Sequence, residues 1–172
     1  VTNVGGHNLL KGLDSMDYVQ AQDINGPIFT LIALDSHNYP TMGDVTREKL
    51  IQVILDAQLN DGGWNLSAEN ADPAMAIQAL APYYKTNETV KAAVDKALEA
   101  LSALQRSDGG FDSWGTVNSE SCAQVIIALT TLGIDPAKDS RFIKYGLSLL
   151  DALCAYYKDG GFCHTRDGAA DD

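Results

Sequence analysis

The chain has 172 residues, 45% of them hydrophobic, which is enough for one domain with a substantial core. Its net charge of −11 argues against nucleic acid or an anionic membrane surface as a partner. No apolar run approaches the ~20 residues needed to cross a bilayer, so we expect no membrane insertion.

From the N-terminus, the first 24 residues show only a turn at Gly5-Gly6 and a short apolar stretch, which predict little. From Asn25 onward, two kinds of helix alternate. One kind is apolar on every side and must therefore be covered on both faces. The other has a single apolar stripe. The apolar helices are predicted at 27–34, 74–81 and 122–129, and the one-faced helices at 47–58, 90–104 and 142–154.

A turn motif, Gln-x-x-Asp-Gly-Gly-aromatic, follows the first two one-faced helices, and a looser copy without the glutamine follows the third. The interval is about fifty residues, a period typical of stacked repeats. Aspartate bonds its own backbone two residues on, and glycine tolerates the positive φ of a sharp turn. The aromatic side chain then anchors the turn by burial. The repeats near 58–64, 105–111 and 157–162 contain Gln58, Asp61, Gly62, Gly63 and Trp64; Gln105, Asp108, Gly109, Gly110 and Phe111; and Asp159, Gly160, Gly161 and Phe162.

This motif, followed in its first two copies by an apolar helix, resembles the repeat of terpene cyclases and protein prenyltransferase β-subunits. The architecture is also similar to that of cobalamin carriers and complement-like thioester domains. The resemblance implies an all-α fold, an α/α toroid with two concentric layers of helices. Because the sequence holds too few helical hairpins to close such a ring, we expect residues 1–172 to form a single domain with an incomplete or truncated ring.

The catalytic motifs of these relatives are missing, so we expect no catalytic residues in this chain. The cyclase sequence Asp-x-Asp-Asp is reduced to Asp171-Asp172, and the thioester sequence Cys-Gly-Glu-Gln does not occur. Glu120-Ser121-Cys122 resembles the Asp-x-Cys zinc ligands of prenyltransferases, but the offset of His164 does not match the family's histidine. Glu120 and Cys122 are therefore weak metal candidates. The favoured expectation is no cofactor, with Glu120 in a first helical turn and Cys122 in the core.

Three cysteines without C-x-x-C spacing predict neither a disulfide framework nor a structural zinc site. Cys122 and Cys154 lie in apolar helical segments and are expected to be small buried side chains. The cysteines do not distinguish a secreted or cell-surface protein from a cytoplasmic one.

Ligand contacts are expected where the cavity of such a ring would open, at the start of the apolar helices. Trp114 lies outside the turn motif and is the first choice for an aromatic that faces a ligand. For Asp72, helix capping is the favoured role and ligand contact the alternative. The full set of candidates by repeat position is Trp114, Asn118, Glu120, Asp72 and Met75.

Three functions stay open from the sequence. The first is a non-catalytic module of an exported bacterial protein, secreted or on the cell surface, that binds a bulky, partly apolar small molecule or peptide on its concave face. The second is an enzyme that acts on isoprenoids, with key residues elsewhere. The third is a scaffold whose open edge contacts the rest of its own chain or another copy.

Overall fold

The computed structural model describes residues 2–66, 69–71 and 73–168. It divides the chain into two compact units, Val1–Leu59 with Trp64–Ala71, and Asn60–Gly63 with Asp72–Asp172. The described residues form seven α-helices and five short antiparallel strand pairs, so the expectation of a mainly helical protein is confirmed.

The first unit packs three helices, α1 (Met16–Gln20), α2 (Asn25–Asp35) and α3 (Arg47–Asp56), around an apolar core. The helix α2 packs against both α1 and α3. Leu31, Leu50 and Ile54 are fully buried between these elements. Trp64 is also fully buried, and its indole Nε1 donates a hydrogen bond of 2.5 Å to the carbonyl oxygen of Ile54. The elements are β1 (Asn3–Val4), β2 (His7–Asn8), a 3-10 turn (Lys11–Leu13), α1 (Met16–Gln20), α2 (Asn25–Asp35), α3 (Arg47–Asp56), β3 (Trp64–Leu66) and β4 (Glu69–Ala71).

The second unit contains two apolar helices, α4 (Pro73–Leu80) and α6 (Ser119–Thr131), which pack against each other. The amphipathic α5 (Glu88–Leu104) packs against α4, and α7 (Leu149–Cys154) packs against α6. Its elements are α4 (Pro73–Leu80), a 3-10 turn (Ala81–Tyr83), α5 (Glu88–Leu104), β5 (Asp112–Ser113), β6 (Thr116–Val117), α6 (Ser119–Thr131), a 3-10 turn (Ser140–Phe142), β7 (Ile143–Lys144), β8 (Leu147–Ser148), α7 (Leu149–Cys154), β9 (Tyr157–Lys158) and β10 (Gly161–Phe162).

The predicted one-faced helix over 142–154 is wrong in its first half. A hairpin, β7–β8, occupies that stretch and reverses at Tyr145 and Gly146, which both have positive φ. The shorter α7 then begins at a capping box, in which Ser148 and Asp151 each bond the other's backbone N–H. As a result Cys154, which was expected to be buried, is exposed, and so is Leu150. Apolar spacing matched a helix here, but the Tyr-Gly pair has the chemistry of a tight turn.

The third repeat of the turn motif also differs from the first two. In those two, Asp61 accepts a hydrogen bond from the backbone of Gly63 (2.9 Å), and Asp108 accepts one from Gly110 (3.1 Å). In the third, Asp159 itself has a positive φ and forms the tip of the β9–β10 hairpin with Gly160.

The aromatic of the third repeat differs accordingly. Trp64 and Phe111 are buried, whereas Phe162 is 45% exposed and forms a T-shaped pair with Tyr157, with 5.4 Å between ring centroids. Only the first two repeats therefore form the turn with a buried aromatic that the sequence predicts. We call the turn at 58–64 the first hinge and the turn at 105–111 the second hinge. The third repeat belongs with the two-residue hairpin turns at Trp114-Gly115 and Tyr145-Gly146.

The first hinge requires glycine at position 62 for two separate reasons. Gly62 has φ +94°, and a Cβ there would lie 2.7 Å from the carbonyl oxygen of Lys96 in α5. Gly133 has a similar φ of +80°, but a Cβ there would have nothing within 4 Å. The two positions therefore share the conformational strain and differ in the steric clash.

We expect Gly62→Ala to lower the free energy of unfolding more than Gly133→Ala does. Gly133→Ala should cost about 1–2 kcal/mol from backbone strain alone. Gly62→Ala should cost at least ~1 kcal/mol more because α5 must move away from the turn. Urea denaturation of both variants measures the difference, and equal losses would show that the close approach to α5 is not formed.

Candidate functional site

The apolar helices α4 and α6 each leave one stripe of side chains at least partly exposed. On α6, Glu120, Gln124 and Ile127 are spaced by four and three residues and so lie on one face. On α4, Met75 and Gln78 are three residues apart and also share a face. We call these five residues the α4–α6 wall. It combines two apolar side chains, two amides and one carboxylate.

The two glutamines of the wall are bonded across the helix pair. The side-chain Nε2 of Gln78 donates to the side-chain Oε1 of Gln124 at 2.8 Å and to its backbone oxygen at 3.1 Å. Within the described residues, Oε1 of Gln78 and Nε2 of Gln124 form no hydrogen bond. The wall therefore presents one amide acceptor and one amide donor side by side, the complement of a peptide group.

Glu120 stands in the first turn of α6, beside the segment that follows the last hairpin. Its carboxylate Oε2 lies 2.9 Å from Nδ1 of His164 and accepts a hydrogen bond of 3.3 Å from the hydroxyl of Ser119. The backbone N–H of Ser119 also donates to the carbonyl oxygen of His164 at 3.1 Å. These contacts fix the His164 segment against the start of α6.

The environment of Glu120 favours its charged form. Partial burial by itself raises the pKa of this carboxyl, but hydrogen bonds from its own backbone N–H and from His164 outweigh that effect and hold the pKa below the usual 4.5. The first-turn position favours negative charge as well. Glu120 is thus ionised at neutral pH, and more than half of its side chain is exposed.

The second hinge holds the surrounding segments together. The side-chain Nε2 of Gln105 donates to the carbonyl oxygens of Gly109 (2.9 Å) and Phe142 (3.0 Å), and Gln105 is buried. Asp108 of the same hinge forms an ion pair of 3.2 Å with Arg166, whose guanidinium lies 5.2 Å from the ring centroid of Tyr156. One turn therefore contacts the segments on both sides of α7.

Two of the predicted rim residues, Glu120 and Met75, lie in the wall. Asn118 is buried, and its side chain accepts from the backbone of Ser121 (2.7 Å) and donates to that of Thr116 (2.9 Å), so it is the N-cap of α6. Trp114 is 73% exposed at the tip of the β5–β6 hairpin. Asp72 lies outside the described residues.

From the sequence, His164 is considered only as a zinc ligand, and its contact with Glu120 is not predicted. Neither Gln78 nor Gln124 is singled out. The contact between His164 and Glu120 joins residues 44 positions apart, and the two glutamines are 46 apart. No local pattern encodes such pairs. A signal was nevertheless present for the glutamines, since each is a polar residue inside a helix that is otherwise apolar.

The weak zinc candidates Glu120 and Cys122 face different surroundings. Cys122 is fully buried, whereas Glu120 is exposed and contacts His164. Among the residues that the structure describes, no group of three histidine, cysteine or acidic side chains is arranged to hold a metal ion.

Within the same described ranges, none of the helices combines the length and apolar character that a membrane span requires. Comparison of the chain with protein-family models, curated proteins and solved structures gave no match. The resemblance to the terpene cyclase and prenyltransferase repeat thus rests on the sequence motif alone.

The Glu120–His164 contact predicts a pH-dependent contribution to stability. The folded-state pKa of Glu120 is lowered, so its contribution is complete above about pH 4.5 and is lost as the pH falls through the folded-state pKa. Because both side chains are more than half exposed, this contribution should be only about 0.2–0.5 kcal/mol.

Glu120→Gln should therefore destabilise the protein slightly at pH 7 and progressively less as the pH falls towards 3. Chemical denaturation at both pH values measures this, with Glu99→Gln, an exposed carboxylate on α5, as the matched control. A Glu120→Gln effect of the same size at both pH values would contradict the assignment.

Proposed function

We propose that this chain is a non-catalytic binding module that holds an extended, partly apolar peptide on the α4–α6 wall. The contact between Gln78 and Gln124 carries the proposal, because it orients two amides across neighbouring helices. Both side chains are only partly buried, so packing of the core does not explain why two glutamines occur at these positions.

The hydrogen-bonding groups of the wall suit a peptide backbone. A ligand N–H matches the acceptor on Gln78, and a ligand carbonyl matches the donor on Gln124. The bond between the two glutamines already restricts both side chains, so less rotamer entropy is lost when a ligand binds. An amide partner would be favoured over a hydrocarbon chain, because a hydrocarbon would leave both amide groups without partners.

The apolar members of the wall provide the remaining contact area. Ile127 is 47% exposed on α6, and Met75 is partly exposed on α4. Methionine adapts to side chains of different shape, which fits a site that accepts more than one apolar residue. A short peptide on such an open wall should bind with a Kd of about 1 mM.

The alternation of helices supports a further part of the proposal, that α4 and α6 belong to the inner layer of an α/α toroid and α5 to its outer layer. In the second unit, the apolar α4 packs against both the amphipathic α5 and the apolar α6. This is the order that the resemblance implies. The wall would then lie on the concave face.

Nuclear magnetic resonance titration with the tripeptide amide N-acetyl-Leu-Ala-Leu-NH2 tests the proposed function. We expect the side-chain amide signals of Gln78 and Gln124 and the methyl signals of Ile127 to shift together. The double variant Gln78→Leu with Gln124→Leu should weaken binding about tenfold, because two hydrogen bonds of about 0.5–1.5 kcal/mol each are lost.

The matched control is Gln52→Leu, a glutamine on α3 that bonds only Asp56 among the described residues. The control variant should bind the peptide as the wild type does. Binding that is unaffected by the double substitution would refute the peptide site. If farnesol shifted the wall signals and the peptide did not, the isoprenoid-acting alternative would replace this proposal.

A further inference from the structure

The α4–α6 wall is polarised along its length. Within the two helices Pro73–Leu80 and Ser119–Thr131, Glu120 is the only charged residue, and neither helix contains lysine or arginine. The carboxylate lies at one end of the α6 stripe, Gln124 follows one turn later, and the apolar Ile127 comes next. A ligand on this stripe would meet a negative charge, an amide pair and an apolar surface in that order.

One oxygen of the Glu120 carboxylate, Oε1, is available to accept a hydrogen bond from a ligand. His164 and Ser119 both contact Oε2, and no other residue in the described part of the chain donates a hydrogen bond to Oε1. The His164 contact therefore orients the carboxylate without occupying its second oxygen. An oriented carboxylate with one open oxygen suits a single ammonium group, which is compact and donates up to three hydrogen bonds.

The spacing along α6 agrees with the length of a short peptide. Helical rise is 1.5 Å per residue, so Glu120 and Ile127 are about 10 Å apart along the axis. An extended peptide advances about 3.3 Å per residue, so three residues span that distance. Gln124 lies about 6 Å from Glu120 along the same axis, so the second peptide group of such a peptide would lie near the Gln78–Gln124 pair.

We propose that this wall recognises a peptide by its free N-terminus, with the α-ammonium group on Glu120, the second peptide group on the two glutamines and an apolar side chain on Ile127. This inference rests on the proposed function and adds the chemical class and direction of the ligand. The charge complementarity between an acidic wall end and a cationic terminus decides the orientation.

The test compares Leu-Ala-Leu-NH2, which has a free amine, with its N-acetylated form, in titrations at pH 6.5, where the α-amino group is protonated. The wild-type protein should bind the free amine about threefold to fivefold more tightly, the range expected for a partly exposed ion pair. The preference should shrink when sodium chloride is raised from about 0.05 to 0.5 M, because salt screens the charges.

Glu120→Gln should remove the preference, because it removes the charge that the free amine contacts, and Glu99→Gln should keep the preference. His164→Ala should reduce the preference without abolishing it, because the carboxylate remains but loses the contact that orients it. Equal binding of both peptides to the wild type, or an unchanged preference in Glu120→Gln, would overturn this inference and leave the proposed function standing. Failure of both peptides to bind would overturn the inference and the proposed function together.

Discussion

The arrangement of the second unit depends on the buried side-chain amide of Gln105. Its Nε2 donates both hydrogens, one to the carbonyl of Gly109 in its own hinge and one to the carbonyl of Phe142, which lies 37 residues further along the chain. A buried carbonyl that loses its donor costs about 1–3 kcal/mol, so one side chain stabilises two carbonyl groups that have no other donor among the described residues. The hinge and the start of the β7–β8 hairpin are thereby held in contact.

Several other contacts converge on the same hinge. The backbone of Asn118, the N-cap of α6, bonds the carbonyl of Phe111, and Asp108 pairs with Arg166 beyond the last hairpin. A Cβ on Gly109 would lie 3.1 Å from the carbonyl oxygen of Ser148, so the hinge also approaches the start of α7. The start of α6 and the His164 segment are positioned by this convergence, and Glu120 is oriented as a result. The proposed binding wall therefore depends on a structural turn that takes no part in binding.

The sequence predicts most of the helices but not the contacts that form the candidate site. Helical periodicity identifies α2 to α6 because each is long enough for its apolar pattern to repeat. The same rule failed over 142–154, where apolar residues of a short hairpin matched helical spacing. The Asp-Gly-Gly-aromatic pattern also misled at 159–162, because Asp-Gly serves equally as a hairpin turn. What separates the two geometries is whether the following aromatic finds a core, as Phe111 does and Phe162 does not. Contacts such as Glu120 with His164 depend on packing between distant segments, which no local pattern records.

Hydrogen–deuterium exchange on Gln105→Ala tests most directly whether this hinge organises the second unit. We expect the variant to lose backbone protection together at 111–119, 140–149 and 156–165, because Gln105 and its hinge join these segments. Gln124→Ala, which removes a partly exposed glutamine of the wall, should leave protection of those segments unchanged. Loss of protection confined to 105–111 in Gln105→Ala would contradict the account, because it would show that the hairpins and the start of α6 hold their positions without the hinge.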